Sequence, residues 1–352
     1  MSGDVEGARE AAVEPVRFGL VGYGFGGRVF HAPFLAAAEE VDLLGVVTTS
    51  PARQAQVADD LPGVRTFGSL EALSEAGAEA VAISTPAHTH SELTDRALRL
   101  GLAVVCDKPF ALDAASARRS VELAEGLGLA LAPFQNRRWD SDFRTVQRLV
   151  ADGVLGELTG FESSFERFTP DPGPAASGGG TLLDFGSHLV DQALVLLGPV
   201  ATVYAEWRVR DSGLDDDVFV ALRHVSGARS HLSGSWSQGA PAPRFRVSGT
   251  RGSYVVHGME SQEPVLLSGR TPAQLGERWG EEPAQRWGAL HRGDDVEPVP
   301  SEPGAWDSFY PAFARAVRGF GPVPVPPHDA VATAQVLDAA RESARGGEVV
   351  RI

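Results

Sequence analysis

The sequence predicts a two-part fold: an N-terminal α/β Rossmann domain with a doubly wound parallel sheet, then a C-terminal α+β domain with a large, mostly antiparallel open sheet. Three observations carry this expectation. GYGFGG at 22–27 is a G-x-G-x-x-G run set between an apolar run of strand length at 16–21 and a helical pattern from Arg28, the strand, turn and helix that a dinucleotide-binding turn requires. Short runs dense in Val, Leu and Ala at 41–49, 80–84, 103–106 and 130–134 read as strands buried on both faces, with helical patterns at 91–100 and 114–127 among them. From residue 157 the texture changes to partly alternating segments at 157–168, 201–210, 217–225, 229–236 and 244–248, few of them separated by helices, as in an antiparallel sheet.

The expected organisation is a loose tail over 1–15, an NAD(P)-binding domain over 16–134 and a second, α+β domain over 135–352, whose substrate and oligomerisation roles follow from the resemblance given below. A stretch rich in Gly, Pro and Glu at 268–304 reads as a surface excursion, and 306–318 and 328–345 as closing helices. A chain of 352 residues has room for two ordinary domains. Its 43% hydrophobic and 22% charged content is that of a soluble globular protein. A net charge of -15 without any basic cluster argues against a nucleic-acid partner. Cys106 is the single cysteine, so no intrachain disulfide forms and a reducing setting is natural. The acidic N-terminal stretch has no apolar core for a signal peptide, and no apolar run reaches the roughly 18 residues of a membrane span. The expected location is cytoplasmic, with no membrane partner.

Within the turn, Gly22 suits the tight change of direction, Gly24 leaves the pyrophosphate room, and Gly27 lets the helix approach the sheet. Tyr23, Phe25 and Gly26 complete the same cofactor-binding segment, whose phosphates would meet free N–H groups at a helix start. After the second strand an NAD site usually carries an acidic residue for the ribose 2′-OH. Here stand Thr48, Thr49 and Ser50, with Arg53 beyond them; small hydroxyls and a guanidinium accommodate a 2′-phosphate, so NADP is preferred to NAD. The competing reading makes Ser50 a helix cap and Arg53 a solvated side chain. Thr85, Pro86 and His90 follow the 80–84 strand and Lys108 the 103–106 strand, at the carboxyl edge where such sheets bind ligands.

Asn136, Arg138 and Trp139 follow the last strand into the same crevice, and amide, guanidinium and aromatic groups together suit a polyhydroxylated ligand. The alternative is a domain junction in which the arginines pair with Asp140 and Asp142. The segment 178–198 reads as a largely buried helix, on which Asp184, His188 and Asp191 share one stripe. Ionisable groups on a buried helix are costly without partners, which points to function.

The motifs together resemble the Gfo/Idh/MocA oxidoreductase family: GYGFGG, TPAHTH at 85–90 and DKPF at 107–110 match its glycine turn, its T-P-x-x-x-H segment and its [ED]-K-P motif. FHAPF at 30–34 and NRRWDSDF at 136–143 look like the branch that contains the NADP-dependent scyllo-inositol dehydrogenases. The resemblance implies a catalytic set of Lys108, Asp184 and His188, a nicotinamide cofactor, no metal, a small polyol or sugar substrate, and a homo-oligomer, dimer or tetramer, formed through the second sheet. The chemistry agrees. His188 is the natural general base, Lys108 can stabilise charge on the substrate oxygen, Asp184 can bind a neighbouring hydroxyl or orient the histidine, and Asp191 can support it. Two other outcomes known for this fold stay open: a glycosidase using transient oxidation with retained NAD, and a ligand-sensing regulator, which would be expected to lack this set.

Overall fold

The computed structural model describes residues 14–352, so the expected N-terminal tail lies almost wholly outside the described residues. The first sheet has six parallel strands: β1 (Val16–Val21), β2 (Val41–Val47), β3 (Arg65–Phe67), β4 (Ala80–Ile83), β5 (Ala103–Cys106) and β6 (Leu131–Pro133), ordered β3-β2-β1-β4-β5-β6. The order reverses between β1 and β4, which opens a crevice at their carboxyl ends. β4 and β5 are buried at every position, which is why they read as continuous apolar runs rather than alternating ones. Helices α1 (Ala32–Ala37), α2 (Pro51–Asp60), α3 (Leu70–Glu75), α4 (His90–Arg99) and α5 (Ala114–Leu127) link these strands. The helix expected after the glycine turn begins with one wide π turn, Gly27–His31, before α1; such turns often mark functional sites.

The second half contains α6 (Ser141–Ala151), β7 (Leu158–Glu166), α7 (Thr181–Leu197), β8 (Val200–Val209), β9 (Asp215–His224), β10 (Arg229–Ser235), β11 (Phe245–Gly249) and β12 (Gly252–Val256). There follow α8 (Gln262–Leu267), α9 (Pro272–Leu275), β13 (Gly288–Arg292), β14 (Asp295–Val299), α10 (Phe309–Val317), α11 (Pro327–Gly346) and β15 (Val350–Arg351). Nine strands form one sheet in the order β14-β13-β12-β11-β7-β10-β9-β8-β15, antiparallel at every pair except β7 with β10. Helices α7 and α11 cover one face, where Phe161, Phe165, Val218, Val220 and Leu232 meet Phe185, Leu189, Val190, Leu337 and Ala340. The other face carries the alternate positions, mainly polar: Glu162, Ser164, Tyr204, Glu206, His231, Ser233 and Arg246, with Phe219 and Ala221 among them.

The stretch 268–304 is mostly exposed, as expected of a surface excursion, but it is not without structure. β13 and β14 form a hairpin that extends the sheet to its edge, and Trp279 is buried. Four exposed positions on β14, Pro298 among them, leave the strand without an apolar pattern in the sequence, because an edge strand tolerates both exposure and proline. The chain also returns to its beginning. Trp279, Trp306, Phe309, Tyr310, Phe313, Ala314 and Val325 pack into the Rossmann core, while Leu290 and Val299 of the hairpin join the second one. Phe18 of β1 meets Tyr310 and Phe313 of α10 edge-on at 5.5 and 6.0 Å, and Phe134 meets Phe309 at 4.8 Å. α10 thus closes a sheet that ended far earlier in sequence. Phe313→Ala is expected to destabilise the protein by about 3–5 kcal/mol, the usual cost of emptying a buried phenyl site. Urea unfolding measures this, and a loss below about 1 kcal/mol would show that α10 does not hold the Rossmann core.

Candidate active site

A cavity of about 450 Å³ opens at the carboxyl edge of the first sheet, between it and α7. Its first wall is the glycine turn. Gly22 has φ 96°, and a side chain there would stand 2.3 Å from the carbonyl oxygen of Ser84. At Gly24 a Cβ would find only Arg53 Nη2 within 4 Å, at 3.7 Å, so bare backbone faces open space beside a guanidinium. That is a cradle a side chain would fill, and it fits a dinucleotide pyrophosphate. Phe25 and Gly26 extend this wall, and Ser84, Thr85 and Pro86, after β4, face it.

The second wall follows β5. Asp107 accepts from the backbone N–H of Lys108 at 2.8 Å and from Ser84 Oγ at 2.8 Å. Its Oδ2 is 3.2 Å from Nε2 of the buried His31, whose Nδ1 is 2.5 Å from the Tyr310 hydroxyl. Burial alone would push the Asp107 carboxyl up, but His31, with His90 and Lys108, outweighs it and holds the group well below the usual carboxylate range. The Lys108–Pro109 peptide is cis. Lys108 Nζ pairs with Asp184 Oδ1 and lies 3.4 Å from the Asp184 carbonyl.

Asp184 belongs to α7, whose start is fixed from outside the helix. Gly180 precedes it with φ 97°, and Asp215, at the head of β9, accepts from Leu182 N at 2.6 Å while its carbonyl accepts from Thr181 Oγ1 at 2.7 Å. One turn on, His188 also lines the cavity. Its Nδ1 is buried without a partner among the described residues. Burial, then Lys108, Arg137 and Arg244, push its pKa well below the ordinary imidazole value, so the ring is neutral near pH 7.

The third wall is aromatic. Phe165, Phe185 and Trp236 stack in sequence, with centroids 4.1 and 4.9 Å apart. Arg167 runs along this ladder at 5.4 to 5.8 Å, and Arg137 lies 4.7 Å over Phe165. Glu263 of α8 joins the two arginines, accepting from Arg137 Nη2 at 2.5 Å and from Arg167 Nη2 at 2.7 Å. Burial would raise its pKa, but the paired guanidiniums keep it below the usual range.

Of the residues singled out from sequence, Gly22, Gly24, Phe25, Gly26, Arg53, Thr85, Pro86, Lys108, Asn136, Asp184 and His188 line this one cavity. The structure places the others elsewhere. Tyr23 points into the core and donates to Asp60 at 3.1 Å, and Gly27 lies buried beneath the turn. Thr48 is buried, and Thr49 and Ser50 lead into α2 outside the cavity lining. Both ring nitrogens of His90 face backbone carbonyls. Arg138 turns away to grip Asp191 at 2.8 and 2.6 Å and Asp329 at 2.9 Å, and Trp139 packs edge-on against Phe309. Asp191 therefore serves Arg138 rather than His188. The reason is local: Asn136–Trp139 is a tight 3₁₀ turn, so successive side chains diverge and Arg137, not Arg138, reaches the cavity. Arg167 and Phe165 sat on an expected strand without a distinguishing signal, and Glu263 had none at all.

Comparison with known proteins decides the lineage. Residues 16–134 match the oxidoreductase family, NAD-binding Rossmann fold, and 143–255 match the GFO/IDH/MocA C-terminal domain. The chain belongs to the Gfo/Idh/MocA family. It is 36% identical to the uncharacterized oxidoreductase YdgJ of Escherichia coli, over 94% of this chain and 96% of that protein. It is 30% identical to the scyllo-inositol 2-dehydrogenase (NADP(+)) IolW of Bacillus subtilis, over 95% of each. The crystal structure of an oxidoreductase from Bacillus cereus superimposes with a TM-score of 0.86 at 26% identity, covering 96% of this chain and 98% of that one. This Gfo/Idh/MocA protein is an NAD(P)-binding oxidoreductase, and its fold is the predicted Rossmann sheet with a mostly antiparallel second sheet. Among the described residues no helix is long and apolar enough to cross a membrane.

Proposed function

We propose that this oxidoreductase interconverts a secondary alcohol and its ketone on a cyclitol or sugar, with Lys108, Asp184 and His188 as its catalytic set and NADP preferred to NAD. The observation that carries the reading is the Lys108–Asp184 pair set beside a neutral, buried His188, between the open glycine cradle and the aromatic wall. The nicotinamide, when bound, supplies the hydride acceptor or donor. Neutral His188 takes the hydroxyl proton during oxidation. In reduction, a proton on that ring is made acidic by burial and the cations around it, and so passes readily to the ketone oxygen. Lys108 donates to the same oxygen and spreads its developing charge, and Asp184 holds the lysine and accepts from a neighbouring hydroxyl. Phe165, Phe185 and Trp236 cover the C–H face of a ring, while Asn136 and Arg167 bond its hydroxyls. The names of IolW and of the inositol 2-dehydrogenase of Rhizobium meliloti, 32% identical over 72% of this chain, support a cyclitol.

His188→Ala should lower kcat by roughly 10² to 10⁴ with cofactor affinity little changed, the usual worth of acid–base catalysis. Lys108→Met should be at least as damaging, and Arg167→Met should raise KM with kcat largely kept. Nicotinamide absorbance with inositols, hexoses and their ketones provides the assay; a folded His188→Ala variant with most of the parental turnover would remove the histidine from the mechanism.

Cofactor preference rests on Thr49, Ser50 and Arg53, which stand at the end of β2 without an acidic neighbour there. Ser50→Asp should shift preference from NADP toward NAD, since a carboxylate facing a phosphate is repelled. If the parent already favours NAD tenfold or more, this assignment of the strand end is wrong.

We also propose self-association through the sheet face opposite α7 and α11. Arg223 and Arg229 stand opposite each other at one end of it, while Glu166, Asp217 and Glu206 lie toward the other. A two-fold axis lying in the interface and running across the strands would set the Arg223–Arg229 end of one copy against the end of the other that carries Glu166, Asp217 and Glu206, with Arg208 beside them. Light scattering at micromolar protein should report a dimer or tetramer, and a monomeric mass would end the proposal.

A further inference from the structure

We infer that His90 is held as a buried imidazolium whose two N–H bonds tie the Thr85 turn to the Pro109 turn and thereby position Lys108 at the cofactor cleft. His90 is 1% exposed. Nδ1 is 2.7 Å from the Pro109 carbonyl oxygen and Nε2 is 2.8 Å from the Thr85 carbonyl oxygen. A carbonyl oxygen can only accept, and a neutral imidazole has a single N–H to give. A neutral ring would therefore press one lone pair against an oxygen lone pair at hydrogen-bond distance, with no water to intervene. The doubly protonated ring satisfies both contacts and makes both charge-assisted.

The two acceptors are what give this bond pair a function. Thr85 follows β4 and Pro109 follows β5, and these strands are neighbours in the sheet. The Thr85 turn lines the cavity with Thr85 and Pro86, and the Pro109 turn begins with Lys108. His90 itself, on α4, does not line the cavity; it is a positioning residue. Its countercharge is at hand: Asp107, just after β5, is held ionised by His31 on its other side, while Cys106 Sγ, which also faces the ring from β5, donates to the Phe110 carbonyl. Burial opposes the charge on His90. The neighbouring Cys106 and Asp107 and the Pro109 carbonyl outweigh burial and raise its pKa to about 9. Because the folded value lies above the ordinary one near 6.5, the stabilisation is complete below about pH 6.5 and fades as the pH rises through about 9.

The test uses the full chain labelled with ¹⁵N-histidine. At pH 7.5 both ring nitrogens of His90 should give protonated imidazolium signals, and they should lose a proton only near pH 9. In Asp107→Asn the same step should move down by about one pH unit or more, because the countercharge is gone. Fluorescence titration with NADPH or NADH, whichever binds the parent more tightly, should show His90→Gln weakened by about tenfold, the scale of losing a buried hydrogen bond to a charged group. A single ring N–H at pH 7.5 overturns the inference. So does a folded His90→Gln variant that binds cofactor within about twofold of the parent. Should that variant fail to fold, the labelled parent alone still decides the charge state.

Discussion

The ion pair between Lys108 and Asp184 joins the two sheets at the point where the cavity lies. Each side chain is about a quarter exposed, deep enough that either charge alone would be costly and shallow enough for a ligand to reach both. The pair is anchored in both directions. Behind Lys108 run Asp107, His31 and the hydroxyl of Tyr310 on α10. Behind Asp184 runs α7, pinned at its start by Asp215 of β9. The two halves of the chain therefore cannot slide past each other without separating a charge from its partner.

The wall opposite the glycine turn rests on an unusual interior. Arg137, Asp140, Asp142, Arg244 and Glu260 are all buried, and Gln192 of α7 accepts from Arg244 and donates to the Arg137 carbonyl. Burial and the neighbouring Asp140 push the carboxyls of Asp142 and Glu260 upward, against the pull of Arg137. Such clusters contribute little net stability, but each member fixes the orientation of the next. Here the member that benefits is Arg137, which reaches the cavity with its guanidinium already committed to Glu263.

What the sequence made legible is what is local. The glycine turn, Lys108 at the end of β5, and the Asp184 and His188 spacing on one helix each need only a few consecutive residues. The strands of the first sheet were legible because burial on both faces leaves a continuous apolar run. β3 was not: it is a three-residue edge strand with two exposed side chains. Arg167 and Glu263 were not either, since their meaning comes from meeting each other across almost a hundred residues of chain. Arg137 rather than Arg138 faces the cavity because a 3₁₀ turn rotates each side chain by about 120° from the one before it, which no count of residue types encodes.

The packing of α10 on β1 has a consequence for how the protein is made. The Rossmann segment is complete at β6, yet Phe18 and Phe134 remain without their aromatic neighbours until Phe309, Tyr310 and Phe313 have been added. At ordinary rates of synthesis that interval is roughly ten to forty seconds. Through it, an apolar sheet face stands uncovered on the nascent chain, so the first half to be synthesised is among the last to finish folding.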